Sequence, residues 1–263
     1  MRYFIFLALL LTSNSLLAAE FNHTVWDDLL SKHVRVIDGG KSTQVDYAGF
    51  KADHELLAFY LDSLSMVEKN TFSQWPKPEQ LAFLINAYNA WTVQLILTAY
   101  PDLNSIKDLG GFLQSPWEKA FIPLLGKTVT LDHIEHELIR GSGDFNEPRV
   151  HFAVNCASVG CPALRNEAYI ADRLEQQLEA QTALFLADRS RNYLDNDKLY
   201  VSPIFKWYRE DFDRPWRSSN SLASFLALFS DALELDNARQ AALLAGKIKI
   251  RFTDYDWTLN DTP

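Results

Sequence analysis

The stretch from Pro76 to Pro101 constrains this chain more than any other. It opens on Pro76-Lys77-Pro78 and runs without another proline or glycine to Pro101. Proline is tolerated in the first helical turn and disfavours helix in the residue before it, so the spacing predicts one helix ending at about Tyr100. At about 100° per residue, Leu81, Leu84, Ile85, Tyr88, Trp91, Leu95 and Ile96 form one broad apolar face, and Phe83, Ala87, Ala90, Val93 and Leu97 cover much of the other. A helix apolar nearly all round must be wrapped by the rest of the chain. Asn86, Asn89 and Gln94 interrupt it and argue against a membrane span. Asn86 and Asn89 lie at i, i+3, and a buried amide without partners costs about 1–3 kcal/mol. Each is therefore expected either to tie a neighbouring loop to the core or to orient a catalytic imidazole or line a cavity.

Around this centrepiece the apolar spacing predicts helices over Thr24–Lys32, Lys51–Leu64, Leu131–Arg140, Tyr169–Asp188, Asn220–Phe229 and Asp236–Ala245, with one or two helical turns over Lys206–Phe212. A turn is expected at Asp38-Gly39-Gly40, and Phe121–Pro123 with Thr128–Thr130 suggests a hairpin. Leu199–Val201 is a strand candidate. Lys247–Phe252 alternates apolar at even positions with basic at odd ones, the pattern of a half-buried strand. The expectation is a mostly helical α+β single domain around a buried central helix, with a small antiparallel sheet.

The N-terminus reads as a secretory signal peptide over residues 1–19: Arg2, an apolar run from Tyr3 to Leu11, and small residues at Ala18-Ala19 before Glu20. The run is far short of the about 20 residues a bilayer span needs. Removing it takes away only Arg2 among charged residues, moving the formal charge from −9 to −10 and leaving residues 20–263 as one acidic globular domain, expected to be periplasmic or secreted. With 25 Lys plus Arg against 34 Asp plus Glu and no basic run, nucleic acid is not an expected partner. No Gly-rich phosphate loop and no G-x-S-x-G is present, and no cofactor is expected. Partners, substrate and oligomeric state have no signature in the residues.

Chemistry-bearing residues cluster in two places. On the Leu131–Arg140 helix, the face defined by Leu131, Ile134, Leu138 and Ile139 includes Glu135, an inward carboxylate that needs an ion partner or serves a site, while His133 and His136 take the more polar side. The string His133-Ile134-Glu135-His136 lacks the spacing of a zinc-protease helix. The denser segment, Pro148 to Pro162, holds His151 and the only two cysteines, Cys156 and Cys161. Three readings compete: a Cys156–Cys161 disulfide, which an oxidising compartment favours; a Cys156 thiolate activated by an imidazole; and a metal site using both cysteines with His136 and His151. The third has the least apt spacing. For the second, His151 and Cys156 are five apart and face different ways on a regular helix or strand, so His136 is the freer candidate base. Trp207–Phe212 mixes aromatic and charged residues as an amphipathic turn that closes a core would.

The strings Leu81–Asn89, Ile134-Glu135-His136, His151–Cys156 with Cys161-Pro162, Phe205–Phe212 and Tyr255–Asp261 together resemble the domain of unknown function 547 family over nearly the whole chain after residue 25. That family has no agreed reaction; its bacterial members look exported, and its plant relatives carry added coiled-coil or glutaredoxin-like segments. The resemblance implies a bacterial exported member and carries the family pattern onto Asn86, Asn89, Glu135, His136, His151, Cys156 and Cys161. Without Cys-x-x-Cys or a glutaredoxin-like extension, dithiol catalysis is not implied. Two functions remain: a binding or structural module with a polar, disulfide-pinned cluster, or a thiol-dependent hydrolase or acyl transferase with Cys156 as nucleophile, His136 or His151 as base, and Asn86 or Glu135 orienting. The compartment favours the module, because an oxidising milieu consumes a free thiol that has a cysteine beside it.

Overall fold

The computed structural model describes residues 20–111 and 114–263; the expected signal peptide over residues 1–19 lies outside them. The central helix α5 (Lys77–Leu97) is the axis, and 18 of its 21 residues are buried. Against it pack α2 (Tyr47–Ala52) and α3 (His54–Ser65), with α1 (Thr24–His33) packed on both of these and α4 (Lys69–Gln74) leading into Pro76. The expected helix over Lys51–Leu64 is thus two helices, because Asp46 caps α2 by accepting from Gly49 N–H and Asp53 breaks the run before α3 starts. Between α1 and α2 lies a hairpin absent from the sequence expectations, β1 (Val34–Ile37) with β2 (Ser42–Val45), joined by the turn at Asp38-Gly39-Gly40.

A second hairpin, β3 (Ile122–Leu124) and β4 (Lys127–Val129), precedes a π-helical segment over His133–Arg140. Pi-helical turns are rare and gather at functional sites, since the wider turn re-aims side chains. Pro148–Phe152 forms a 3₁₀ turn. The expected long helix over Tyr169–Asp188 starts with a 3₁₀ turn and is α-helical over α6 (Leu174–Leu186). Then follow β5 (Tyr193–Asp195), β6 (Lys198–Val201), α7 (Ile204–Trp207), α8 (Arg209–Asp213), α9 (Leu222–Leu228), α10 (Asn237–Leu244) and β7 (Lys249–Phe252). β5 and β6 are antiparallel. β7 lies parallel to β6, in register Leu199↔Ile250, which the long helical excursion between them makes possible.

Two apolar clusters fill this α+β domain. The larger surrounds α5; the smaller gathers Phe185, Phe205, Phe212, Phe225 and the inner faces of β6, α9 and α10. The segment Pro148–Phe152 bridges them, with Val150 in the first cluster and Phe152 in the second. The C-terminal tail returns to clamp the molecule: Asn260 O accepts from Val45 N–H at 2.8 Å, and its side-chain oxygen accepts from the Tyr47 hydroxyl at 2.8 Å.

Candidate functional site

His151 sits on the bridging 3₁₀ turn, and that turn is held from both sides. The Arg149 guanidinium, 1 % exposed, reaches Glu147 and Glu175 at 2.6 Å and Glu179 at 2.7 Å, and lies 4.9 Å from the Trp216 ring centre. On the other side Asn89 donates to Ala153 O at 2.9 Å and accepts from Asn155 N–H at 2.8 Å. Asn155 in turn donates to Pro162 O at 2.7 Å, closing the loop that carries both cysteines. Cys156 and Cys161 are joined by a disulfide. Gly160 lets this loop approach the tail: its N–H donates to Asp256 O at 2.8 Å, and a Cβ there would lie 2.9 Å from that same oxygen. The same approach brings Tyr255 and Trp257 over the disulfide. The Tyr255 hydroxyl donates to Cys161 Sγ at 3.2 Å and lies 3.0 Å from Cys156 Sγ.

A cavity of about 200 Å³ opens at the junction of the two clusters. Tyr88, Trp117, Trp207, Tyr208, Tyr255 and Trp257 form its aromatic walls, the disulfide is part of its rim, and Asp132, Glu135 and His151 supply its ionisable groups. The walls are continuous: Trp207 stacks on Trp257 at 5.8 Å between centroids, and Tyr255 lies 4.4 Å from Trp257 and 4.8 Å from Trp207.

The polar end is a relay. His151 Nε2 bonds Asp211 Oδ2 at 2.8 Å, Arg140 Nε donates to the same oxygen at 2.5 Å, and the His151 ring stacks on Tyr208 at 3.9 Å. Burial by itself would raise the Asp211 carboxyl, but its hydrogen bonds from His151 and Arg140 outweigh it and hold Asp211 well below the usual carboxylate range. An ionised Asp211 only accepts, so the hydrogen bond between them places a proton on His151 Nε2. Nδ1 has no hydrogen-bond partner. Neither has Glu135 Oε1, 3.8 Å away, and both residues are buried, at 2 % and 4 % exposure. Two buried polar atoms therefore lie side by side on the cavity lining, with the Tyr208 hydroxyl within hydrogen-bonding reach of the Glu135 carboxylate. Burial, with the Glu135 charge added, keeps the hydroxyls of Tyr88, Tyr208 and Tyr255 protonated far above neutral pH.

The sequence-predicted residues divide cleanly. Glu135, His151, Cys156 and Cys161 meet at this cavity. His136, expected as the base beside Cys156, does not line it: its Nδ1 accepts from Arg140 Nη1 at 2.8 Å and its Nε2 is 3.7 Å from Asp132, because the π-helical segment aims Glu135 inward and turns its neighbour toward α8. His151 lines the cavity instead, since the chain turns between it and Cys156. Asn86 and Asn89 lie outside the lining as well. Asn86 donates to Tyr169 O at 2.7 Å and accepts from Tyr169 N–H at 3.0 Å, so both amides pin backbone to the core. With its sulfur in the disulfide, Cys156 has no thiolate to offer in this state, to a nucleophilic or a metal-binding role. Among the described residues no three His, Cys, Asp or Glu side chains are grouped to hold a metal ion, and no helix is long and apolar enough to cross a membrane. Asp211, Tyr208, Trp207, Tyr255 and Trp257 were not predicted as site residues; the mixed aromatic and acidic composition of Trp207–Phe212 and Tyr255–Trp257 was the available signal.

Residues 72–186 match the family described as protein of unknown function, DUF547. This supports the family resemblance across the central helix, the π-helical segment, the bridging turn and the disulfide loop. DUF547 therefore covers Glu135, His151 and both cysteines, whereas Asp211 and the tail aromatics lie C-terminal to the matched segment. No curated protein and no solved structure matches the chain.

Proposed function

We propose that this protein is a small-molecule-binding module whose cavity holds its ligand through His151 and Glu135. The observation that carries it is the pair of unpartnered buried polar atoms, His151 Nδ1 and Glu135 Oε1, 3.8 Å apart and facing one aromatic-walled space. Buried polar atoms are satisfied in the great majority of cases, and exceptions concentrate where a ligand completes the bonding. Asp211 holds the imidazole in place through its bond to Nε2. The disulfide shapes the rim and supports an oxidising, exported location for the chain.

A thermal-shift screen of small polar and aromatic compounds, followed by calorimetry of each hit, tests this. The expected result is binding to the wild type that Glu135→Gln and His151→Gln each weaken at least tenfold. Hits that bind these variants unchanged would refute it. Intact-mass measurement of the purified protein tests the location: loss of residues 1–19 is expected.

A further inference from the structure

The polar and aromatic ends of the cavity ask for the same ligand chemistry. Its lining contains two carboxylates, Asp132 and Glu135, and no lysine or arginine. The nearest guanidinium on the π-helical segment, Arg140, is engaged by Asp211 and His136 and lies 4.9 Å from the Tyr208 ring centre. Arg191, near the disulfide loop, is held by Asp188 at 2.7 Å and by the carbonyls of Gly160 and Cys161. No lysine or arginine therefore pairs with the buried Glu135, and a buried carboxylate without a counter-charge is costly. The opposite wall accepts cations: indole faces attract them, and Lys107 Nζ already lies 3.6 Å from the Trp257 ring centre.

Resting on that pocket reading, we infer that the ligand is a primary or secondary organic ammonium, its N–H groups donating to Glu135 Oε1 and His151 Nδ1 and its carbon framework against Trp207, Tyr255 and Trp257. An alcohol brings one donor and no charge. A quaternary ammonium brings charge and no donor. Among these three classes only a protonated amine bearing two or more N–H groups supplies both charge and donors.

Saturation-transfer NMR and calorimetry with butylammonium and benzylammonium, against butan-1-ol, benzyl alcohol and choline, decide the class. We expect each ammonium to bind at least tenfold more tightly than its alcohol and more tightly than choline. Glu135→Gln should abolish that preference, while Glu55→Gln, on exposed surface, should leave it intact. Should Glu135→Gln fail to fold, Trp207→Leu, at a half-exposed wall position, should weaken both amines by several-fold. Alcohols that bind as well as the amines would overturn the charge requirement but leave the pocket reading standing. Choline binding as tightly as butylammonium would overturn the donor requirement. No saturable binding by any probe, together with no hit in the thermal-shift screen, would overturn both readings.

Discussion

Asn86→Ala tests the account of the central helix independently of any ligand. Asn86 is fully buried, and its amide bonds both backbone groups of Tyr169, which is itself 1 % exposed. Truncation leaves a buried N–H and a buried C=O without partners, each costing roughly 1–3 kcal/mol, and opens a small void. We expect a loss of about 3 kcal/mol. For a domain of this size that lowers the melting temperature by roughly 6–12 °C, at about 2–4 °C per kcal/mol. Urea titration should show a lower midpoint with an unchanged slope, because the native state stays compact. Asn86→Asp should also destabilise, since a carboxylate can accept from Tyr169 N–H but cannot donate to Tyr169 O. A loss below about 1 kcal/mol for Asn86→Ala would refute the pairing, for it would mean that Tyr169 finds other partners at no cost.

Three further outcomes follow from particular contacts. His23, buried and bonded to Tyr60 at 2.7 Å, has its pKa lowered by burial from 6.5 to about 3; the unfolded chain therefore binds this proton first, stability falls as pH drops from about 6.5 toward 3, and His23→Gln should flatten that slope in denaturation measured across the window. Gly160→Ala should cost about 1–3 kcal/mol by pushing Cβ against Asp256 backbone, and should shift the fluorescence of Trp257 as the tail moves off the disulfide loop. Replacing Cys156 and Cys161 together by serine should cost only about 2 kcal/mol, the chain-entropy value for so short a loop; a loss above about 4 kcal/mol by urea titration would mean that the disulfide also anchors the tail through Tyr255.

What the sequence discloses depends on whether a residue's fate is decided within its own element. α5 was legible because its apolar positions run all round, and only burial satisfies such a surface. Glu135 was legible as inward because its neighbours define the core side, and it stays inward although the segment is π-helical. The choice between His136 and His151 was not legible. It turns on Asp211, 60 residues after His151, and on Arg140, which diverts His136. Trp207–Phe212 reads as an amphipathic turn, and it is one: Phe212 enters the second cluster. The same turn also offers Tyr208 to the His151 ring and Trp207 to the cavity, a second use that only the packing partner reveals. The hairpin β1–β2 has strands of four residues each, too short to show clear alternation against the helix that precedes them.

The position of the cavity follows from how the two apolar clusters are joined. Val150 and Phe152 point into different clusters, so His151 between them is fixed by packing on both sides before any hydrogen bond is counted. Asp211 and Phe212 are likewise adjacent, one bonded to His151 and the other packed with Phe152 at 5.9 Å. The relay is therefore anchored by the same residues that close the second core. A site built this way loses little side-chain entropy when a ligand enters, because His151, Asp211 and Glu135 are already ordered. What it forgoes is internal satisfaction of His151 Nδ1 and Glu135 Oε1. Packing holds both atoms in place, with the room beside them opening toward the aromatic walls.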